Sequence, residues 1–367
     1  MPVQPRHEIR TLTKGAESSG SRIARMRTDY KGRIVKLSSN EGPWPPFPAA
    51  IEAMIQAVSQ QNRYSDPDSN ILRAKLADLH GVPPEYITVA AGSSPIIKQI
   101  FFTFVNPGDE VLMPWPTFPS YVSEAEAMGA EPVRVRLRND TTDLRAIIDG
   151  ITPRTKLVCL CNPNNPTGTV NTRDEMDEYL REVPDSVITV VDEAYYHFAD
   201  PVTFPQIDRY IAARGPKPVI MLRTFSKAYA MAGARMGYGI VPPDLMRVLD
   251  ATKAAYPVNH VGLAGAAASV ADQDTLQERI AMTVRGREYL HRELDAMGLQ
   301  HTDSKGNFLF VDFSRDSNAI DQGLMMHGIL CKTGHQYDSP TWLRVTVGLP
   351  EENEAFITAL KQVLAEA

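Results

Sequence analysis

Cysteine is scarce. The 367 residues include three, Cys159, Cys161 and Cys331, with no CxxC pair and no cluster at metal-ligand spacing. That excludes a disulfide framework and a cysteine metal centre, and the alternation of the first two along one apolar run reads as core thiols. An excess of basic residues is missing too. With 38 Lys and Arg against 44 Asp and Glu, the net charge is -6, so the basic face that holds nucleic acid is not expected. No stretch approaches the roughly 20 apolar residues of a membrane span. Met1–Ser21 is polar and lacks the apolar segment of a secretion signal, so a cytoplasmic location is expected. No internal repeat or low-complexity tract is evident.

The composition that is present, 43% hydrophobic and 22% charged, is that of a globular protein long enough for a large core and more than one domain. Residues 1 to about 30 are polar and mixed in charge, which predicts an arm or a partly disordered lead-in. Four prolines and a glycine in Ser38–Pro48 dictate a rigid loop, and Ala49–Gln60 and Asn70–His80 have helical spacing. From Ile87 the texture alternates. Short apolar runs at Ile87–Ala91, Glu110–Met113, Thr155–Cys161, Val187–Val191 and Val219–Leu222 read as strands, separated by helical stretches. This predicts an α/β fold: a large domain with a mainly parallel sheet sandwiched by helices, plus a smaller α/β domain. The expected division is an arm at 1–33, the first part of the smaller domain at 34–60, the larger domain at 61–250, and the remainder of the smaller domain with an interdomain helix at 251–367.

The polar residues gather where the strands end. Gly92, Phe118, Asn165, Asp192 and Lys227 all follow such an end, which is where open α/β sheets bind ligands. Lys227 lies close to Thr224, Ser226 and Arg235, an amine beside anion-binding groups. A buried amine near other cations has a lowered pKa and forms Schiff bases with carbonyls, so a cofactor carrying an aldehyde and a phosphate is indicated. Gly92-Ser93-Ser94 would offer the amides of a helix start to that phosphate. Asp192, after an apolar run, would need a cationic partner such as a pyridinium nitrogen. Phe118 would stack on a ring face, and Arg344 would grip a substrate carboxylate or phosphate. Each residue also has a plainer reading. Lys227 could be a strand-end lysine with its head in water, Gly92-Ser93 and Asp192 ordinary helix caps, Phe118 core, and Arg344 a surface charge on an edge strand.

Five motifs then arrive in order: Asn-Pro-Asn-Asn-Pro-Thr-Gly at 162–168, Asp-Glu-Ala-Tyr at 192–195, Arg-Thr-Phe-Ser-Lys at 223–227, Arg-Met-Gly-Tyr at 235–238 and Leu-Arg-Val-Thr-Val-Gly at 343–348. Together they resemble the fold-type I pyridoxal-phosphate aminotransferases, most closely the histidinol-phosphate aminotransferase branch, from about Leu37 onward. The resemblance implies pyridoxal 5'-phosphate as cofactor, no metal, and a homodimer with shared active sites. It implies Lys227 as Schiff-base lysine and proton carrier, Asp192 as the pyridinium partner, and Asn165 and Tyr195 as donors to the phenolic oxygen. Gly92, Ser93, Thr224, Ser226 and Arg235 would hold the phosphate, with Tyr64 reaching it from the other subunit. Arg344 would bind the substrate's acidic group, and the Asn40 loop would cover the mouth.

The implied reaction is transfer of an amino group from an amino acid or amino-acid-derived phosphate to a 2-oxo acid such as 2-oxoglutarate, histidinol phosphate leading. Alternatives are an aromatic or other specialised amino-acid aminotransferase, a decarboxylase of amino-acid phosphates, and a regulatory domain without turnover. The chain departs from the usual pattern of the branch at Gly42, where asparagine is common, at Ser94-Pro95, where an acidic pair is common, at Ala230, where glycine is common, and at Ala234, where leucine is common.

Overall fold

The computed structural model describes Glu8 and residues 18–366. Its strands are β1 (Val35–Lys36), β2 (Ile87–Ala90), β3 (Glu110–Trp115), β4 (Glu131–Arg136), β5 (Thr155–Cys161), β6 (Ile188–Asp192), β7 (Val219–Thr224), β8 (Gly237–Ile240), β9 (Phe308–Asp312), β10 (Ile329–Leu330), β11 (Lys332–Thr333) and β12 (Trp342–Thr346). Seven of them form the large sheet in the order β2-β8-β7-β6-β5-β3-β4. All pairs are parallel except those of β8, which runs against both β2 and β7. The apolar runs explain the arrangement. Val219, Ile220, Met221 and Leu222 are all fully buried, so both faces of β7 are covered and the sequence shows no alternation. Burying each such side chain contributes roughly 1.5–3 kcal/mol.

Two strands of the large sheet lie where none was expected. β8 is Gly-Tyr-Gly-Ile, a composition with weak strand preference, and its pairing on both sides with β2 and β7 holds it in the sheet. β4 is one of the sheet's two outer strands, and its Arg134 and Arg136 alternate with Val133 and Val135. Because β8 is antiparallel to both neighbours, β2 runs the same way as β5, β6 and β7, and their carboxyl ends share one edge of the sheet.

The chain also builds a three-stranded antiparallel sheet, β11-β12-β9, and the parallel pair β1-β10. Their apolar faces form a second core in which Val35 and Leu37 meet Leu309, Val311, Leu343, Val345, Phe356 and Leu360. β12 is the central strand of its sheet and is buried on both faces, so Arg344 is not an edge-strand surface charge. The helix Pro48–Val58 lies inside the 34–60 segment assigned to the smaller domain. It packs along the helix His260–Ala271, however, and Phe47 and Ala50 join the larger core with Leu263, Ala266 and Ala267. The helix Gln273–Ala296 crosses between the two cores, with Leu276 in the larger and Leu290 and Leu294 in the smaller.

The N-terminal segment corrects another expectation. Residues 1–17 other than Glu8 lie outside the described residues, but Ser19–Asp29 is a helix capped by Ser18 rather than a loose arm. Its Met26 and Arg22 are buried; the Arg22 guanidinium pairs with Asp321 and donates to the Cys331 carbonyl at 2.9 Å.

Candidate active site

A cavity of about 330 Å³ opens at the shared carboxyl edge of the sheet, lined by Ser93, Ser94, Phe118, Asn165, Asp192, Tyr195, Thr224, Ser226, Lys227 and Arg235, together with Ser39, Glu41 and Cys161. Each side chain arrives there because a strand ends. Asp192 is the last residue of β6, Thr224 the last of β7 and Cys161 the last of β5, while the turn after β2 starts the helix Ser93–Phe104. Beside Asp192, the buried pair Glu193 and Arg223 ties the ends of β6 and β7 together at 2.8 Å.

One end of the cavity is a cradle for an anion. Gly92 precedes the helix without a side-chain cap, so the first N–H groups face the cavity end unscreened. Its φ of +104° admits little but glycine, and an added Cβ would lie 2.6 Å from Nη2 of Arg235. That guanidinium donates to the Ala232 and Ala91 carbonyls at 2.9 and 3.2 Å and reaches Ser226 Oγ at 3.4 Å. Thr224 Oγ1 in turn donates to Ser226 Oγ at 3.0 Å and accepts from the Ser226 N–H at 3.1 Å. Hydroxyls, a helix start and an arginine converging on one spot suit a phosphate.

The other groups are tuned by burial. Lys227 Nζ donates to the Ser39 carbonyl at 3.1 Å and lies 5.4 Å from the Tyr195 ring centre. Burial, then the nearby Arg344, brings its pKa down to about 7, against the pull of Glu41 and Asp192. A neutral amine is therefore available near neutral pH. Asp192 is pushed up to about 6 by burial, partly countered by the Tyr121 hydroxyl at 2.9 Å, the Ala194 N–H at 3.2 Å and the charge of Lys227. Tyr195 receives a hydrogen bond from Asn40 Nδ2 at 3.1 Å, and burial raises its phenol well above the ordinary range.

Arg344 lies behind this cavity rather than among its lining residues. Nη1 donates to Asn165 Oδ1 at 2.5 Å and to the Tyr337 hydroxyl at 2.9 Å, and Nη2 donates to the Ser38 carbonyl at 2.8 Å. Its Nε is buried without a partner, a donor left for an acceptor. With Oδ1 of Asn165 engaged by Arg344, the Nδ2 of Asn165 is its donor for a ligand. Asn40 is fully buried between Tyr195 and Thr346 and does not line the cavity. Tyr64 is not brought to the site within the chain. It is 79% exposed and stacks on Tyr256 at 4.1 Å.

The sequence pattern of the family aminotransferase class I and II matches residues 32–360. The chain belongs to that family. The aminotransferase is 38% identical over 332 residues to a histidinol-phosphate aminotransferase of Moorella thermoacetica, covering 90% of this chain and 86% of the relative. It is 37% identical over 331 residues to an aromatic amino acid aminotransferase of Thermobifida fusca, with 90% of each covered. Among solved structures, histidinol-phosphate aminotransferase from Sinorhizobium meliloti, in complex with pyridoxal-5'-phosphate, superposes with a TM-score of 0.91 at 28% identity, covering 99% of this chain and 98% of that one.

Several residues of the aminotransferase's site were not anticipated, among them Ser39, whose carbonyl holds Lys227. Tyr121 serves Asp192, Tyr337 serves Arg344 and Asn165, and Glu41 lines the mouth while paired with Lys36 at 2.7 Å. For Tyr121 a signal existed: it stands three residues after Phe118, at the start of the helix that leaves β3, and the two rings meet edge to face at 5.5 Å. Tyr337 and Glu41 carry no such local signal.

Proposed function

We propose that this aminotransferase moves the amino group of histidinol phosphate to a 2-oxo acid such as 2-oxoglutarate, with pyridoxal 5'-phosphate as cofactor. The observation that carries the reading is that a near-neutral amine, Lys227, a buried carboxylate, Asp192, and an anion cradle at Ser93, Ser226 and Arg235 line one cavity. Ser93, Ser94, Thr224, Ser226 and Arg235 would hold the cofactor's phosphate, Asp192 its ring nitrogen, Asn165 and Tyr195 its phenolic oxygen, and Phe118 a ring face. Bound there, the cofactor supplies an aldehyde for the donor's amino group and an electron-accepting ring for the carbon that loses its proton. The protein's part is to orient and to move that proton. Lys227 Nζ would take it from the donor's carbon and give it to the carbon that came in as the cofactor's aldehyde, which asks for a pKa near the working pH. Arg344, with its unpaired Nε, would receive the substrate's anionic group, and the Asn40 loop would bound the donor's other end.

A second reading, an aromatic amino donor, is favoured by the Thermobifida fusca relative and by the acidic Glu41 at the mouth, where a phosphate ester gains nothing. A panel of donors with 2-oxoglutarate, followed by the cofactor's absorbance, separates the two. Histidinol phosphate should exceed phenylalanine and tyrosine in kcat/KM by roughly tenfold or more. The reverse order selects the aromatic reading, and carbon dioxide release without any 2-oxo acid would defeat both.

A cytoplasmic homodimer with shared sites belongs to the same reading. Ile55, Val58, Tyr64, Ile71 and Tyr256 are exposed apolar side chains, with Tyr64 stacked on Tyr256, and a second subunit would cover such surface. Light scattering at micromolar concentration should give twice the chain mass of 40.6 kDa, and a single-chain mass would remove Tyr64 from the site.

A further inference from the structure

The segment 38–43 runs as a strap over Lys227. The Ser39 carbonyl accepts the Lys227 amine, and Glu41 reaches into the cavity. The strap is pinned at Asn40, whose Nδ2 donates to Tyr195, whose Oδ1 accepts from Thr346 at 3.1 Å and whose carbonyl accepts from Asn307 at 3.1 Å. Its height over the lysine is set further on, at Gly42. There an added Cβ would lie 2.9 Å from the Lys227 carbonyl oxygen and 3.0 Å from the Ala230 methyl. These are two positions at which the chain departs from the motifs of the branch it resembles, and in the fold a side chain at 42 would meet the methyl of 230.

Ala230 closes the Lys227 turn, its N–H donating to the Lys227 carbonyl at 2.9 Å. It does so at φ +53°, a region glycine enters at lower cost than alanine. The methyl is therefore held at a strained position, and the residue opposite it has no side chain. Because Asn40 is fixed by these hydrogen bonds and by its own N–H, which donates to Thr346 Oγ1 at 2.9 Å, a displacement at residue 42 moves Glu41 and its partner Lys36 rather than Asn40.

We infer that Gly42 and Ala230 form a size-matched pair that sets how far Glu41 enters the cavity, and so which amino donor fits over Lys227. They are specificity-determining positions for the transamination proposed above, on which this inference rests. A larger residue at 42 loses one of its close contacts when 230 shrinks, and a smaller one at 230 lets the strap settle and reshapes the donor space. The Lys227 carbonyl oxygen and the Ala230 Cα, at 2.9 and 3.2 Å from a Cβ added at Gly42, are backbone atoms that a smaller residue at 230 leaves in place, so the exchange of sizes restores the fit in part.

Four proteins test the pair: the native chain, Gly42→Ala, Ala230→Gly and the double variant, each assayed with histidinol phosphate and with phenylalanine against 2-oxoglutarate. Gly42→Ala should lose roughly tenfold or more in kcat/KM, and the double variant should recover roughly fivefold of that, a coupling typical of touching residues. Ala230→Gly should melt higher without cofactor, from relief of the positive φ, while the ratio of the two donors shifts by roughly threefold or more. Losses that simply multiply, or donor ratios within about twofold in all four proteins, overturn the pairing. If the native chain transaminates neither donor, the functional reading fails by itself. The pair is then judged on the cofactor dissociation constants of the four proteins, where independent effects would overturn it.

Discussion

Lys227→Ala should abolish transamination, lowering turnover by roughly 10⁴-fold at saturating donor and acceptor. No other amine lines the cavity among the described residues, so nothing there can replace the proton carrier. The cradle at Ser93, Ser226 and Arg235 is untouched by the change, so the variant should still take up the cofactor, with its absorbance shifted. A variant that kept turnover within tenfold of the native rate would remove Lys227 from the chemistry. The buried amine also leaves a mark on stability. Its folded pKa of about 7 lies below the ordinary 10.5, so the unfolded chain binds the extra proton between those values. The native protein without cofactor thus gains stability from this group as pH rises from about 7 toward 10.5, and loses it as pH falls back through 7. Measured as melting temperature, the variant should gain on the native chain at about pH 6 and lose that advantage near pH 10.

The strand ends were legible because a parallel strand covered on both faces is a continuous apolar run, and the first polar residue after it has few places to go. Asp192 and Thr224 terminate β6 and β7 in this way, and Lys227 follows within one turn. What lay beyond reach depends on contacts between distant segments. Arg344 is buried by Ser38, Asn165 and Tyr337, and no pattern around residue 344 announces those partners. The helix Ser19–Asp29 escaped for a similar reason, since among its described side chains only Arg22 and Met26 are buried, too few to show as an apolar stripe. β8 escaped because its two glycines read as loop, and pairing on both sides overrides that preference. Gly42 and Ala230 are visible in the sequence as two separate departures. Only the fold sets a side chain at 42 against the methyl of 230.

Asp192→Asn should lower kcat by roughly 10³-fold, the loss that follows removal of a preorganised charge from a buried site. The carboxylate sits at the end of β6 with 3% exposure, and three things hold it ionised there: the Tyr121 hydroxyl, the Ala194 N–H and the charge on Lys227. Those partners leave it short of full compensation, since its pKa still stands near 6 against an ordinary 3.8. A cationic ring nitrogen would supply what is missing, and a neutral amide cannot keep that nitrogen protonated. Tyr121→Phe should cost less, roughly tenfold, because it removes one hydrogen bond to the charge and leaves the charge in place. Stability separates this role from a structural one. A raised carboxyl pKa means a contribution to stability that is present below pH 3.8 and lost as pH rises through about 6, so at about pH 8 the native chain carries the cost of a buried charge without cofactor. The asparagine variant escapes that cost and should melt at or above the native temperature at pH 8, with the gap closing toward pH 4. Lost turnover in a protein that is equally or more stable assigns Asp192 to the chemistry. Turnover within tenfold of native, or a variant that melts lower across the whole range, would assign it to the frame of the sheet instead.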